Sequence, residues 1–474
     1  MSVRTRFAPS PTGYLHVGGL RTALYAYLFA KQHHGTFILR IEDTDQSRKV
    51  DGATEKLIEA LQWAGVNFDE GPGKEGNHGP YIQSQRLKIY HEHVQQLLEN
   101  GKAYHCFCSS ERLEQLRANG ATMYDRHCRN ISLDEAKKRV LAGEPNVVRM
   151  KIPDGGELNF HDEIRGDVTF ALETIDDQVL LKSDGFPTYH LAVVVDDHTM
   201  EISHVIRGEE WLPSTPKHIL LYQYFGWSIP KFAHLPLLLN PDKSKLSKRQ
   251  GDVAVEDYQM KGYLKEALVN FVAFLGWNPG DEREIFSLQD LVKEFTLERV
   301  GKAGAVFNIE KLNWMNQQHM KLKSDAELLP LVKPLILEKG WKTFSDEYIM
   351  HVIGLMKERV VVLSDFVNAA TYFFEEPTAY DETAKTKNWK PESSAHIAKL
   401  LEKFALLEKF DAASVELALR STAEELQVGA GKLIHPMRLA LSGVSNGPSL
   451  FHMAEVLGKE TVARRMNIAC EKIQ

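Results

Sequence analysis

Arg6-Phe7-Ala8-Pro9-Ser10-Pro11-Thr12-Gly13-Tyr14-Leu15-His16-Val17-Gly18-Gly19 decides how the chain is read. It starts as a short strand, breaks at two prolines, and reaches a histidine followed by paired glycines. A helical pattern opens at once: Leu20, Ala23, Leu24, Tyr27 and Leu28 recur at three- and four-residue steps, one face of a helix. Paired glycines between strand and helix let the backbone approach a ligand closely, and the N–H groups of a helix start favour an anion. An imidazole two residues earlier adds a donor for a phosphate oxygen. Alone, His-x-Gly-Gly also reads as a tight turn with a surface histidine, because short motifs recur by chance.

Thr36 to Ile41 is the next strand, bounded by Gly35 and the acidic turn Glu42-Asp43-Thr44-Asp45. Strand, helix and strand in so short a span form a βαβ unit, hence a parallel sheet. Ligands of such sheets bind at the carboxyl ends of the strands, where Pro9 to Gly19 and Glu42 to Asp45 both fall. A carboxylate there suits an ammonium group. Asp43 and Asp45 equally suit capping of the next helix.

Composition narrows the class. With 474 residues, several domains and a large core are expected. A net charge of −7 gives no global pull toward nucleic acid, so any such surface must be a local basic patch. No apolar run approaches a membrane span, and the start lacks the layout of a secretion signal. Four cysteines in this length make no disulfide framework. A cytoplasmic protein is expected.

Further on, Leu191-Ala192-Val193-Val194-Val195 reads as a strand buried on both faces of the sheet, ended by Asp196-Asp197. Ile202 to Ile206 is expected as another, delivering Arg207-Gly208-Glu209-Glu210 at its end. Thr215 then Pro216 marks a helix start. A last strand near His234 to Leu239 leads to Asn240-Pro241-Asp242-Lys243-Ser244-Lys245-Leu246-Ser247-Lys248-Arg249. Four cations in its last seven residues make an anion clamp on a turn-rich loop.

Together these residues resemble class I aminoacyl-tRNA synthetases of the bacterial glutamyl type. His16-Val17-Gly18-Gly19 stands where that family has its HIGH signature, and Lys245-Leu246-Ser247-Lys248-Arg249 where it has KMSKS. Phe7 to Gly19, Arg40 to Asp45 and Val205 to Trp211 are similar to blocks typical of glutamyl enzymes, and the likeness covers essentially the whole chain. The resemblance implies a Rossmann-like α/β catalytic domain with an α/β insertion, followed by an all-α half. The implied segments are 1–80 and 189–252 for the catalytic domain, 81–188 for the insertion that holds the tRNA acceptor end, 253–321 for a helical stem-contact domain, and 322–474 for anticodon binding. It implies ligation of L-glutamate to tRNA(Glu) through a glutamyl-adenylate, with ATP and Mg²⁺, by a monomer.

By resemblance, His16, Gly18, Gly19, Lys245, Ser247 and Lys248 are catalytic, with Pro9 also at ATP. No protein nucleophile is needed when the substrate carboxylate attacks the α-phosphate, so catalysis rests on positioning and charge stabilisation. Glutamate carries two carboxylates and one ammonium, a pattern matched by Arg6 and Arg207 with Glu42; Ser10 and Tyr189 complete the pocket by resemblance. Arg207 has a structural alternative, an ion pair with Glu209 or Glu210. Relatives sometimes place an asparagine at the position of Val193.

Within the insertion, Val147 to Ile152 and Val168 to Phe170 read as strands, and Ser132 to Glu135 as a capping box. Cys106-Phe107-Cys108 and Cys128 are candidate structural zinc ligands; Tyr124, four residues before Cys128, matches an arrangement in some relatives. Small buried thiols without metal are the other reading. From about Val253 the pattern turns helical, with a stripe of Leu264, Ala267, Leu268, Phe271, Val272 and Leu275 and a helix start at Ser287 with Asp290. By resemblance Arg359 lies near the third anticodon base. The helical ending favours the glutamyl over the glutaminyl type, whose anticodon part is built from β-barrels.

Overall fold

The computed structural model describes residues 2–48, 50–246 and 254–473. Two compact units account for the chain, Met1–Gln259 with Leu268–Ile309, and Met260–Ala267 with Glu310–Gln474.

In the first unit the opening strand is Arg4–Phe7, the helix Val17–Gln32 and the following strand Thr36–Leu39. The strands pair in parallel, Arg4 against Thr36 through to Phe7 against Leu39, as the βαβ pattern requires. Burial of Leu20, Ala23, Leu24 and Leu28 holds the helix on the sheet. A second parallel pair, His204–Gly208 with Lys231–Leu235, sets Arg207 directly beside His234. The Ser203 N–H donates to the Arg4 carbonyl at 3.0 Å, which brings this pair alongside the opening strand. Arg6 and Arg207 therefore leave neighbouring strands near the same end. An antiparallel hairpin, Glu157–Asp162 with Gly166–Ala171, joins the far side of Lys231–Leu235 through Asp162 opposite Phe232.

Of the two strands expected within 81–188, Val147–Met150 lies in an antiparallel three-stranded sheet with Ala103–Cys106 and Val179–Leu181, whereas Val168 to Phe170 belongs to the hairpin that joins Lys231–Leu235. Ser132 caps the helix Leu133–Leu141 by accepting from the Glu135 N–H.

Leu191 to Val195 is not a strand. Those residues lie inside a helix, Tyr189–Thr199, and all five are at most 1% exposed. A short all-apolar run suits a helix buried all round as well as a strand covered on both faces, and periodicity cannot separate them. Valine's strand preference loses here to tertiary burial. Two smaller corrections follow the same chain. Pro236, with no N–H to pair, separates Lys231–Leu235 from Leu238–Leu239, and the latter pairs in parallel with Ala305–Val306. The helix Thr215–Phe225 is preceded by Ser214, so Thr215 lies within it, and its hydroxyl turns inward instead of capping.

Every regular element of the described residues from Glu310 onward is a helix. Ser287 with Asp290 and Ser324 with Glu327 form complete capping boxes. The second unit's core gathers Leu328, Val332, Ile353, Phe366, Leu400, Leu433 and Met466.

Candidate active site

A cleft of about 580 Å³ opens at the carboxyl ends of the parallel strands. Arg6, Pro9, Ser10, His16, Gly18, Gly19, Glu42, Tyr189 and Arg207 all line it, together with Thr44, Asp45, Gln83, Lys182 and Trp211. Residues drawn from three distant stretches of sequence thus meet in one place.

His16 is the N-cap of the first helix, and its Nδ1 accepts the Gly18 N–H at 2.9 Å. A ring nitrogen that accepts carries no proton, so in the neutral ring the proton sits on Nε2, where it is a donor. The helix begins at Val17, so both glycines fall in its first turn. Close approach, not an unusual φ, is what a side chain would disturb there. A Cβ on Gly18 would lie 3.2 Å from His16 Nδ1, and one on Gly19 would lie 3.0 Å from Leu15 Cδ1. Glycine in a helix costs up to about 1 kcal/mol relative to alanine.

Behind the cleft, Arg6 pairs with Asp197 (Nε to Oδ1, 3.0 Å), and Arg40 pairs with the same carboxylate at 2.8 Å and with Glu42 at 3.3 Å. Asp196 takes Arg86 at 2.7 Å, the Gln83 amide at 2.9 Å and the Tyr90 hydroxyl. Buried charges need such partners. Burial pushes the Glu42 carboxyl up to about 7 against the pull of Arg40 and Arg6. Asp197 is held below the usual carboxylate range, its burial outweighed by Arg6 and Arg40. Of the neighbouring acids, Asp43 turns to Ser84, accepting from its N–H and hydroxyl at 2.8 and 2.7 Å, while Asp45 takes Ser47 and Arg48.

Arg207 is 5% exposed, and among the described residues no carboxylate lies within ion-pair distance of it. Its donors go to neutral acceptors: His234 Nε2 at 3.1 Å, Tyr189 Oη and His218 Nδ1 at 3.2 Å, Thr215 Oγ1 at 2.9 Å and the Trp211 carbonyl at 3.3 Å. The expected alternative, an ion pair with Glu209 or Glu210, does not form. Glu209 instead pairs with Arg165 and accepts the Leu237 N–H at 2.9 Å. Burial pushes His190 down to about 3 and His218 well below its ordinary value, so neither adds charge. Tyr189 packs against Trp211 with ring centres 4.4 Å apart and planes tilted by 36°, forming the apolar wall beside Arg207. Val193, one turn after Tyr189, is 1% exposed and packs into the core.

Lys245 is exposed and does not line the cleft; it bridges back to Leu239 in antiparallel register. Ser247 and Lys248 lie outside the described residues. On the near side of that stretch the Leu246 N–H donates to the Leu238 carbonyl at 2.9 Å, and the Leu238 side chain lies beside Gly18. On the far side Ala254 bridges to His16, with the Val255 N–H on the Leu15 carbonyl. The far described end therefore rests on Leu15 and His16, and the near one on Leu238, which borders Gly18.

Residues 2–314 match the family described as tRNA synthetases class I (E and Q), catalytic domain, and residues 327–470 match an anticodon binding domain. The chain belongs to the class I tRNA synthetases of the E and Q type. It is 54% identical to the glutamate–tRNA ligase of Chloroherpeton thalassium over 494 aligned residues, covering 100% of this chain and 98% of that one. Against the same-named protein of Chlorobium chlorochromatii identity is 55%, with 99% and 98% covered. Among solved structures, a glutamate tRNA ligase from Elizabethkingia meningosepticum in complex with its amino acid superposes with a TM-score of 0.95 at 43% identity, each chain covered fully. The glutamate-tRNA synthetase of Elizabethkingia anophelis gives 0.92 at 42%, again over both full lengths.

Away from the cleft of this class I synthetase, the Sγ atoms of Cys106, Cys108 and Cys128 lie within 4.8 Å of one another. Tyr124 Oη is 3.3 Å from both Cys106 and Cys108, and Cys108 is 3.6 Å from Cys128. Sulfur ligands of a tetrahedral zinc ion stand about 3.8 Å apart, so the three thiols and the phenol fit one. His105 turns instead to Asn146 at 2.9 Å. Arg359 lines a separate cleft of about 510 Å³ in the helical unit, with Tyr372, Glu375 and Asn446.

Proposed function

We propose that this synthetase ligates L-glutamate to the 3′ end of tRNA(Glu). A glutamate carboxylate attacks the α-phosphorus of ATP, pyrophosphate leaves, and the glutamyl-adenylate then passes its acyl group to the terminal ribose with release of AMP. Family membership and full-length relatives named glutamate–tRNA ligase support the reaction. The observation that carries the substrate is Arg207, a buried guanidinium with only neutral neighbours, facing the same cleft as Glu42.

The residues divide the work as charge requires. Arg6 and Arg207 supply positive potential for two carboxylates, Glu42 meets the ammonium, and Ser10 and Tyr189 border them. A charge-assisted Arg–carboxylate pair is short and directional, whereas glutamine would set amide donors against guanidinium donors. His16 Nε2–H and the helix start, with Pro9, Gly18 and Gly19, face the triphosphate; Lys245, Ser247 and Lys248 close on it from the cationic loop. Magnesium arrives with ATP, held mainly by phosphates and water. Cys106, Cys108, Tyr124 and Cys128 hold a structural zinc ion that ties the insertion together. Segments 1–80 and 189–252 carry the chemistry, 81–188 takes the acceptor end, 253–321 touches the stem, and 322–474, with Arg359, reads the anticodon. The enzyme acts as a monomer in the cytoplasm.

Charging assays with purified protein test this. ATP-dependent acylation of tRNA(Glu) with glutamate and none with glutamine is expected; absence of glutamate charging, or equal use of glutamine, overturns it. Running tRNA(Gln) alongside tells whether the anticodon half accepts a second tRNA.

A further inference from the structure

Three fully or nearly buried side chains stand in line behind the substrate cleft. Asp162 and His234 are both 0% exposed, and Asp162 Oδ2 lies 2.5 Å from His234 Nδ1. The other oxygen, Oδ1, accepts the Ile164, Arg165 and His234 backbone N–H groups at 3.0, 2.8 and 3.3 Å. Four donors thus fix the carboxylate. On the opposite edge of the imidazole, Nε2 is 3.1 Å from Arg207 Nε and 3.2 Å from Thr215 Oγ1. The sheet register enforces the line, because Arg207 and His234 are direct partners on parallel strands and Asp162 joins the next strand opposite Phe232.

The chemistry of the line has one solution. A carboxylate can only accept, so His234 Nδ1 carries a proton; a guanidinium can only donate, so His234 Nε2 must bear a lone pair. The ring is neutral and in a single tautomer, and burial together with Arg207 lowers its tendency to protonate despite Asp162. Asp162 does not touch Arg207 and leaves its charge unneutralised. It controls the direction of the guanidinium through an uncharged ring.

We propose that His234, locked by Asp162, is a positioning residue that sets the plane of the Arg207 guanidinium and thereby the affinity for a dicarboxylic amino acid. This rests on the reading of Arg207 as a glutamate ligand. An imidazole between a carboxylate and a guanidinium passes on orientation and withholds neutralisation; a carboxylate in its place would consume the charge that the substrate needs.

Glutamate charging by three variants tests it. His234→Phe keeps a ring but removes both bonds. His234→Asn reaches toward Asp162 and not Arg207, whereas His234→Gln places a carbonyl near the lost Nε2. Losing one bond to a charged group corresponds to a rise in the glutamate KM of about ten- to a hundred-fold, expected for Phe and Asn, with the ATP KM within about twofold of wild type. The Gln variant is expected to recover most of the loss. An unchanged glutamate KM in Phe and Asn, a parallel rise in the ATP KM, or a Gln variant as poor as Phe overturns the proposal. If Phe does not fold, Asn against Gln decides it by the same measure. Wild-type protein that fails to charge glutamate counts instead against the proposed reaction.

Discussion

Arg6 and Asp197 meet at 3.0 Å with both side chains 4% exposed, so this cleft-lining arginine is held by a buried carboxylate. Arg207 is its opposite, buried without a carboxylate. The two cations therefore do different things: Arg6 contributes potential moderated by Asp197, and Arg207 offers a full charge. Removing one member of a buried pair leaves the other uncompensated, at a cost of about 3–5 kcal/mol. Asp197→Ala should lose that much in urea unfolding, because Arg6 loses its carboxylate partner and Arg40 is left with Glu42 and Asp196 alone. The Asp197 carboxyl lies below its ordinary range when folded, so its contribution is present above the unfolded value and is lost as pH falls into the acid range. The wild type's advantage over the variant should accordingly shrink as pH falls into that range.

Glu42 predicts a pH dependence of the opposite sense. Burial, opposed by Arg40 and Arg6, raises its carboxyl to about 7. Only the anion binds an ammonium. Values of kcat/KM for glutamate should rise about tenfold per pH unit below 7 and level off above it, since this ratio reports the free enzyme. The neutral form is the one the fold favours, so stability from this group is complete at acid pH and is lost as pH rises through about 7. Glu42→Gln should therefore abolish glutamate charging while raising stability at pH 8 by something on the order of 3 kcal/mol. A flat profile, or a destabilised Gln variant, would count against the ammonium assignment.

Local signals were legible, and long-range ones were not. The turn Pro9 to Gly19 and the parallel pairing around it follow from neighbours in sequence, and the structure has them. The partners of Arg207 come from positions 215, 218 and 234, which no spacing connects to it. Leu191 to Val195 misled because an apolar run does not say whether a sheet or other helices will cover it. The two aspartates that follow held the missed signal. Charged residues ending an apolar run must be paired if buried, and here Arg6, Arg40 and Arg86 pair with them.

His16 has two separable jobs. Its Nδ1 caps the first helix, which in the neutral ring puts the proton on Nε2, the donor proposed for phosphate. His16→Ala should lose both, roughly 1 kcal/mol of stability and 3–4 kcal/mol of transition-state stabilisation. His16→Asn keeps a capping oxygen but not the reach of the ring. It should melt like wild type and still lose some hundred-fold or more in kcat, the size usual for one well-placed donor. Equal activity of wild type and Asn variant would remove the imidazole from the chemistry.

The cysteine cluster gives a prediction that does not involve catalysis. Cys106 ends the strand Ala103–Cys106, and Cys128 lies beyond Tyr124 on a segment with no regular structure of its own. Near the thiols the two stretches meet through Phe107 N–H to Cys128 Sγ at 3.4 Å, and further out through Asp177, which accepts from Tyr104 and Arg129 at 2.8 and 2.9 Å. Zinc bonds would hold them far more firmly, because coordination free energy becomes local folding free energy. Freshly purified protein should contain about one zinc per chain, as a single tetrahedral site requires. Stripping it with a chelator should raise hydrogen exchange over residues 103–131, while ATP and glutamate still bind, since none of these cysteines lines the cleft. Metal-free protein with unchanged exchange there would show that the thiols are simply packed.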